Sequence, residues 1–535
     1  MAFPAPVYAD NFSKKIQVEF GGYNHRRAAG DGEWFDMRNL TSADAPLLAV
    51  RRPRHIVRTL NQPNGLCGGN ALAWVDGSGF YYDGTLRGTV SNGRKRMVVM
   101  GHLLLIFPDK KFHNINTQEF GSLEAHYSPG AGKITFRNGM YMGESADANT
   151  LETSGAAFSG FSVGDAVTIS GCTTHPENNL TIVIREISAD GKKLIFYPDS
   201  FVLGGAASYT EAGSVRIDRN VPDLDIVFVH ENRLWGAKDN TIYASALADP
   251  FNFNNFDLTG LESWQLDVLS AGSFTGGCSY LGYPCFFKSE QVFKIYGSVP
   301  SDFKSVPSAN LGVAVGSGDS LAIAGEKLFY LSRAGVVLYS GGLPSPISQA
   351  FGDVTYSEGV GGTDGLLYYI SMRDSGGNWS MFVYDTLRGM WHRHDELHAL
   401  FFAWCGEGLF VLDADGRILF IGDADDAPPG STEESSLTWF AESADFTESS
   451  PQRKWLLGID IRAELAAGAR FSVKVIYDGG PEWHTAASFS GAGKRSFIVP
   501  RIPRRADHYR IRLEGSGRVW IYSLAPNTEQ GSEYH

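Results

Sequence analysis

The chain has 535 residues, 43% of them hydrophobic and 13% aromatic, with a net charge of −13. That length exceeds one ordinary core and implies two to four domains, and the hydrophobic content excludes a disordered chain. Charge is uneven: residues 1–58 carry nine Lys/Arg against six Asp/Glu, residues 436–526 carry thirteen against nine, and 59–435 hold −18, a distribution unlike a DNA-gripping protein, which needs concentrated Lys and Arg to neutralise phosphate.

The 62 glycines, set beside 34 Phe and 22 Tyr, predict an all-β protein with aromatics in strands and Gly in turns. The run MVVMGHLLLIF, Met97 to Phe107, is about half the roughly 20 apolar residues that cross a bilayer, so no membrane insertion is expected. The start, MAFPAPVYADNFSKK, lacks a basic stretch followed by an apolar core, so no secretory signal is expected. Five scattered Cys with no CxxC fit free thiols from a reducing compartment.

In chain order, residues 1–58 read as an extended segment joining a propeller. From 59 the pattern becomes apolar strand, polar turn, apolar strand. Ala71 to Gly84 and Arg96 to Thr117 are the first such units, placing the first blades at 59–120. Residues 121–220 break the pattern. FSVGDAVTISGC and ENNLTIVIREI alternate strictly, and Asp190-Gly191 marks a turn, so a small inserted β-barrel is expected. Units of the first kind resume at Asp225, Cys285, Ser320, Gly365 and Leu400, giving the remaining blades at 221–423. One unit cannot bury both faces of its sheet, whereas radial stacking can. The expected fold is therefore an irregular β-propeller of about five to eight blades. Residues 424–436 read as an acidic linker, 437–526 as a C-terminal β-sandwich of five strands, and 527–535 as a polar tail.

Few residue groups suggest chemistry. WHRHDELH places His392, His394 and His398 within eight residues as a weak metal candidate, but no further ligand is fixed, and the ordinary reading is a rim loop between blades. SPGAGKIT (128–135) and SGAGKRS (490–496) lack the spacing and the Ser/Thr of a phosphate loop and read as hairpin turns. Asp413-Ala-Asp-Gly-Arg417 lacks the third carboxylate and the closing Glu of a calcium loop. Asp425 and Asp426 sit in the linker, which cannot hold glycosidase carboxylates on two sides of a pocket. No catalytic residue, metal or cofactor is expected, and the protein is read as a non-enzyme.

Two phrases carry a resemblance. ENRLWGAKDNTIYASALADPFNFNNF, Glu231 to Phe256, has a strand ending in Asn-Arg-Leu-aromatic, a second strand, and then Asp-Pro-x-x-Phe; EWFDMRNLTSADAPLLAVRRPR spans Glu33 to Arg54. Both resemble segments of bacteriophage virion proteins, and with the domain order they resemble the tail nozzle, also called tail tubular or DNA-stabilisation protein, of short-tailed phages. The resemblance implies a virion protein made in the host bacterial cytoplasm. It would form a homo-oligomeric ring, a hexamer, below the portal and adaptor, would meet tail fibres, and would pass double-stranded DNA without sequence-specific binding. An acidic body suits that passage, because it repels phosphate. The expected assembly contacts are Trp235, Pro250, Phe251 and Phe253 in the aromatic phrase and Arg51, Arg52, Arg54, Arg501, Arg504 and Arg505 in the basic ends. The alternative is a tail-tip or fibre-like protein binding host-surface glycans through aromatics such as Trp379 and Trp391. A propeller hydrolase acting on cell-wall sugars is a third reading.

Overall fold

The computed structural model describes residues 12–26, 32–141, 144–212, 214–256, 260–406, 408–435, 437–446, 453–500 and 504–530. The described residues are β-strands and loops with a few short 3-10 turns and no α-helix. They fall into two compact units, 64–314 and the combination of 1–63 with 315–535.

The unit 64–314 holds four antiparallel four-stranded meanders, at 63–89, 96–122, 226–267 and 276–309, each with its strands in sequence order. The unit made of 1–63 and 315–535 holds two more and a third meander that grows to five strands. Two follow the same order, at 322–346 and 356–393. In the last, Ala399–Cys405, Gly408–Asp413 and Arg417–Ile421 take their fourth strand, His55–Thr59, from the other end of the chain. Interior strands of these meanders are apolar on both faces: Leu103–Phe107 and Gly408–Asp413 are buried throughout. A strand covered on both sides loses the alternation of a half-exposed one, so the sequence shows short apolar runs between turns. In the hairpin that opens the aromatic phrase, Glu231 and Asn232 both have positive φ, the two-residue geometry whose twist matches that of its strands.

The insertion lies within the first of these units. It has nine strands in two sheets, Ala125–Tyr127 with three partners and Lys133–Tyr141 with four, around a core that includes Ile134, Phe136, Leu151, Phe196 and Ile217. The expected single barrel is thus two facing sheets. The Gly-rich stretch at 128–135 is not a hairpin turn, since it carries the chain from one sheet to the other. The stretch at 490–496 does the same in the C-terminal sandwich: His484–Ser490 pairs in one sheet and Gly493–Pro500 in the other. Glycine serves at both places because the chain must leave one layer and enter the next.

The C-terminal sandwich departs from expectation at both of its borders. N-terminal strands belong to it: Trp34–Arg38 extends one sheet beside Thr438–Ser443, and Leu48–Val50 and Phe12–Lys14 pair with Val519–Gln530 in the other. The expected polar tail is strand up to Gln530; residues 531–535 lie outside the described residues. The expected linker is partly built in as well. Thr432–Glu433 pairs with His55–Thr59, and the Glu434 amide donates to the Arg54 carbonyl. Short polar strands such as these carry no hydrophobic period, so composition alone reads them as linker.

Candidate functional site

Arg51 and Arg54 are buried, and they meet buried Asn39 and two half-buried carboxylates, Asp395 and Glu434. Arg54 grips Asp395 with two nitrogens, at 2.7 and 3.1 Å, and its amide donates to Glu434 at 2.9 Å. Arg51 reaches Glu434 at 2.9 Å, Asp395 at 3.2 Å and the Asn39 side-chain oxygen at 2.8 Å. Burial alone would raise the Asp395 carboxyl, but the Arg54 and Arg51 guanidiniums outweigh it and hold it well below the carboxylate range. Glu434 is held down for the same reason. Both arginines were expected to contact partners. Their fork geometry instead ties the N-terminal segment to the loop after the Met390–Arg393 strand and to the former linker, all within one unit.

The three histidines of the motif do not form a ligand set. His392 and His394 are buried, and their Nδ1 atoms have no hydrogen-bond partner. Burial pushes His392 down to about 4, and burial beside Arg51 and Arg54 pushes His394 well below the imidazole range. His398 stacks on Trp379 at 3.6 Å. Among the described residues, no group of three or more His, Cys, Asp or Glu could hold a metal ion. Trp391, offered as a sugar-stacking residue, is buried and donates its indole N–H to the Ile347 carbonyl.

The aromatic phrase is a joint as well. Trp235 is 1% exposed and Phe253 2%, so neither side chain can reach another subunit while the chain is folded. Pro250 is buried too. Phe253 belongs to one core cluster with Leu103, Phe107 and Leu234, and Phe251 meets Phe112 edge-on at 5.2 Å. Asn252 fastens the inserted domain: its side-chain oxygen accepts from the Ala166 amide at 2.9 Å, and its amide donates to Asp165 at 3.2 Å. Arg219 pairs with Asp165, donates to the Leu123 carbonyl at 3.2 Å and lies over the Phe251 ring. Asp165, Arg219 and Asn252 were not singled out from the sequence. Asp165 ends the Val-Gly-Asp phrase, but nothing in the sequence pairs it with an Arg 54 positions later.

The other basic residues are at the surface. Arg52 is exposed and pairs with Asp423. Arg504 and Arg505 are exposed, Arg504 over the Tyr477 ring at 5.2 Å. Arg501 lies outside the described residues.

One open site was missed altogether. The outward face of the sandwich sheet formed by Trp34–Arg38, Thr438–Ser443, Tyr509–Ser516, Arg470–Tyr477 and His484–Ser490 bears a groove of about 690 Å³. Pairing aligns Arg38, Phe440, Glu514, Ser472 and Ser488 in one row. Thr438, Ser516, Arg470 and Ser490 form the next. The alternate residues Trp439, Phe471, Val473 and Leu513 face the core, as the period of two requires. Glu514 is engaged by Lys474 at 2.5 Å and Arg512 at 2.9 Å, and Arg512 also covers the Phe440 ring at 4.0 Å.

No protein-family model matches the chain, and no curated protein matches it in sequence. Among solved structures it shows partial likeness to an exo-β-1,3-galactanase from Phanerochaete chrysosporium, at 10% identity and a TM-score of 0.21, over 55% of this chain and 95% of that one. It is similar to Raptor from Chaetomium thermophilum at 11% identity and a TM-score of 0.30, over 71% of this chain but 29% of Raptor. A GH43 glycoside hydrolase gives 10% identity and a TM-score of 0.19, over 58% of this chain and 97% of that one. Likeness at this level decides neither fold family nor activity.

Proposed function

We propose that the chain is a structural protein of a bacteriophage tail, a nozzle subunit that rings the exit below the portal and adaptor and conducts DNA at ejection. In this reading the seven meanders are the blades of a propeller, and the His55–Thr59 strand completes the last blade, as expected where a ring of sheets has to be closed. The observation that supports the role is the use made of the two resembling phrases. Glu33 to Arg54 threads the C-terminal sandwich and ends in the Arg51–Arg54 ion pairs; Glu231 to Phe256 forms two strands and then docks the inserted domain. Both phrases hold domains together. Neither presents a nucleophile, an acid–base pair or a ligand set. An acidic body of −18 between residues 59 and 435 suits a conduit for DNA, because it does not retain phosphate.

The test is the mass and shape of the purified protein, alone and mixed with its portal–adaptor complex, by light scattering and electron microscopy. A six-fold ring seated on the portal is expected. A trimer, or a monomer that ignores the portal, would overturn the reading.

A further inference from the structure

The groove on the outer face of the C-terminal sandwich is not needed for any joint described above. Its lining carries Arg38, Arg470 and Arg512 against the single carboxylate of Glu514, an excess of two positive charges. Arg512 is occupied by Glu442 at 3.2 Å and Glu514 at 2.9 Å. Arg470 is exposed and uses only its Nε, on the Ser516 hydroxyl at 3.2 Å; among the described residues its two terminal nitrogens have no hydrogen-bond or ion-pair partner. Arg38 holds Glu396 with one terminal nitrogen at 2.7 Å, while its Nε is buried without a partner. Around these cations the floor is hydroxylic: Thr438, Ser472, Ser488, Ser490 and Ser516.

We propose that this groove binds an acidic polysaccharide, a polyhydroxylated chain bearing carboxylates or phosphodiesters, with Arg470 gripping the anionic group and the serines meeting sugar hydroxyls. Three features favour a saccharide over an acidic protein. Serine and threonine hydroxyls donate and accept, which suits the mixed donor and acceptor edge of a sugar, whereas a carboxylate-rich peptide only accepts through its side chains. Of the four aromatic residues along the groove, Trp439, Phe471 and Phe489 pack into the core, and Arg512 covers the ring of the fourth, Phe440, so the open apolar pocket that anchors protein partners is missing. Extended peptides also favour the edge of a sheet, where backbone groups are free, and most of this groove's lining lies on the three middle strands, whose backbones are already paired. A guanidinium fork with free terminal nitrogens takes a carboxylate or phosphate with two parallel bonds. This site does not depend on the tail reading.

The experiment is isothermal titration of the full chain with five probes: a short oligogalacturonate, its methyl-esterified neutral form, a polyglycerol phosphate, polyaspartate and a short DNA duplex. Arg470→Gln is titrated beside the parent, and its thermal melt confirms that the exposed substitution leaves the fold intact. The expected result is binding of the oligogalacturonate, of the polyglycerol phosphate or of both, with the preferred one naming the anion. The methyl ester should bind at least about tenfold more weakly, and Arg470→Gln should lose about tenfold for the preferred probe. Failure of both acidic polymers to bind, or binding unchanged in a folded Arg470→Gln, would overturn the proposal. So would polyaspartate or the duplex binding as tightly as the best polymer, which would assign the groove to an acidic protein or to DNA.

Discussion

The same residue types do opposite work at the buried Arg51–Arg54 joint and on the open sheet face. At the joint, two arginines are removed from water and paired with two largely covered carboxylates, and the result is a fixed connection between distant parts of the chain. On the sheet face, Arg470, Arg512, Lys474 and Glu514 remain near solvent, and their pairing is incomplete. The difference lies in burial. Water screens an exposed pair and makes it weak but leaves it open to exchange for a ligand, whereas a buried pair is costly to break and has nothing to exchange with.

The largest effect should follow from breaking the buried side of the comparison. Arg54→Ala removes both nitrogens that grip Asp395 and leaves a carboxylate that is 16% exposed with only Arg51. Loss of one member of a buried pair costs about 3–5 kcal/mol, so urea unfolding of this variant should show a midpoint far below the parent's. A change under about 1 kcal/mol would mean that water reaches Asp395 freely, and the joint would then be no different from a surface pair.

Acid should separate the two regions in a second way. In an unfolded chain both His392 and His394 would titrate at about 6.5. In the fold, burial holds His392 at about 4 and His394 well below its ordinary value. Between those limits the unfolded chain takes up protons that the fold refuses, so stability must fall as pH drops from about 6.5, by about 1.4 kcal/mol per pH unit for each histidine. The depressed carboxyls of Asp395 and Glu434 act lower: their stabilisation is present above the ordinary carboxyl range and is lost as pH falls through their folded values. Denaturant titrations at pH 7.5, 5.5 and 4.5 measure the first window. The double variant His392→Gln, His394→Gln should flatten it. A parent with equal stability at all three values would show that the imidazoles are hydrated or already charged in the fold.

Some of this was legible in the sequence and some was not, for identifiable reasons. The seven meanders were readable because a strand buried on both faces must be apolar throughout, and runs such as Leu103-Leu104-Leu105-Ile106-Phe107 announce it. The alternation Arg510-Ile511-Arg512-Leu513-Glu514 announces a sheet with one wet face. What alternation cannot supply is which strands lie side by side. Arg38 and Ser488 are 450 positions apart in the chain, yet they occupy one row because Trp34–Arg38 adds to the edge of a C-terminal sheet. Assigning Arg51 and Arg54 to partner contacts missed their burial for a related reason. Arg51 and Arg54 look like surface charge until Asp395 and Glu434, more than 300 positions away, are seen to neutralise them. Phe251 and Phe253 were expected as assembly contacts, but the structure packs them inside the chain, Phe251 under Arg219 of the inserted domain and Phe253 in the core of its own sheet.

The smallest expected effect on stability tests the exposed side of the comparison most directly. Glu514→Gln removes the carboxylate shared by Lys474 and Arg512, groups that are about one-quarter exposed. Screened pairs of this kind contribute about 0.2–1 kcal/mol, so the unfolding midpoint should hardly move. Ligand binding should respond in the opposite sense to Arg470→Gln, since the change removes the groove's only lining carboxylate and leaves Arg512 with Glu442 as its one carboxylate partner. Titration with the preferred acidic polymer should therefore show tighter binding and a steeper dependence on salt than in the parent. If Glu514→Gln destabilised the chain as much as Arg54→Ala, the open face would be part of the fold's support, and its charges would have no spare capacity for a ligand.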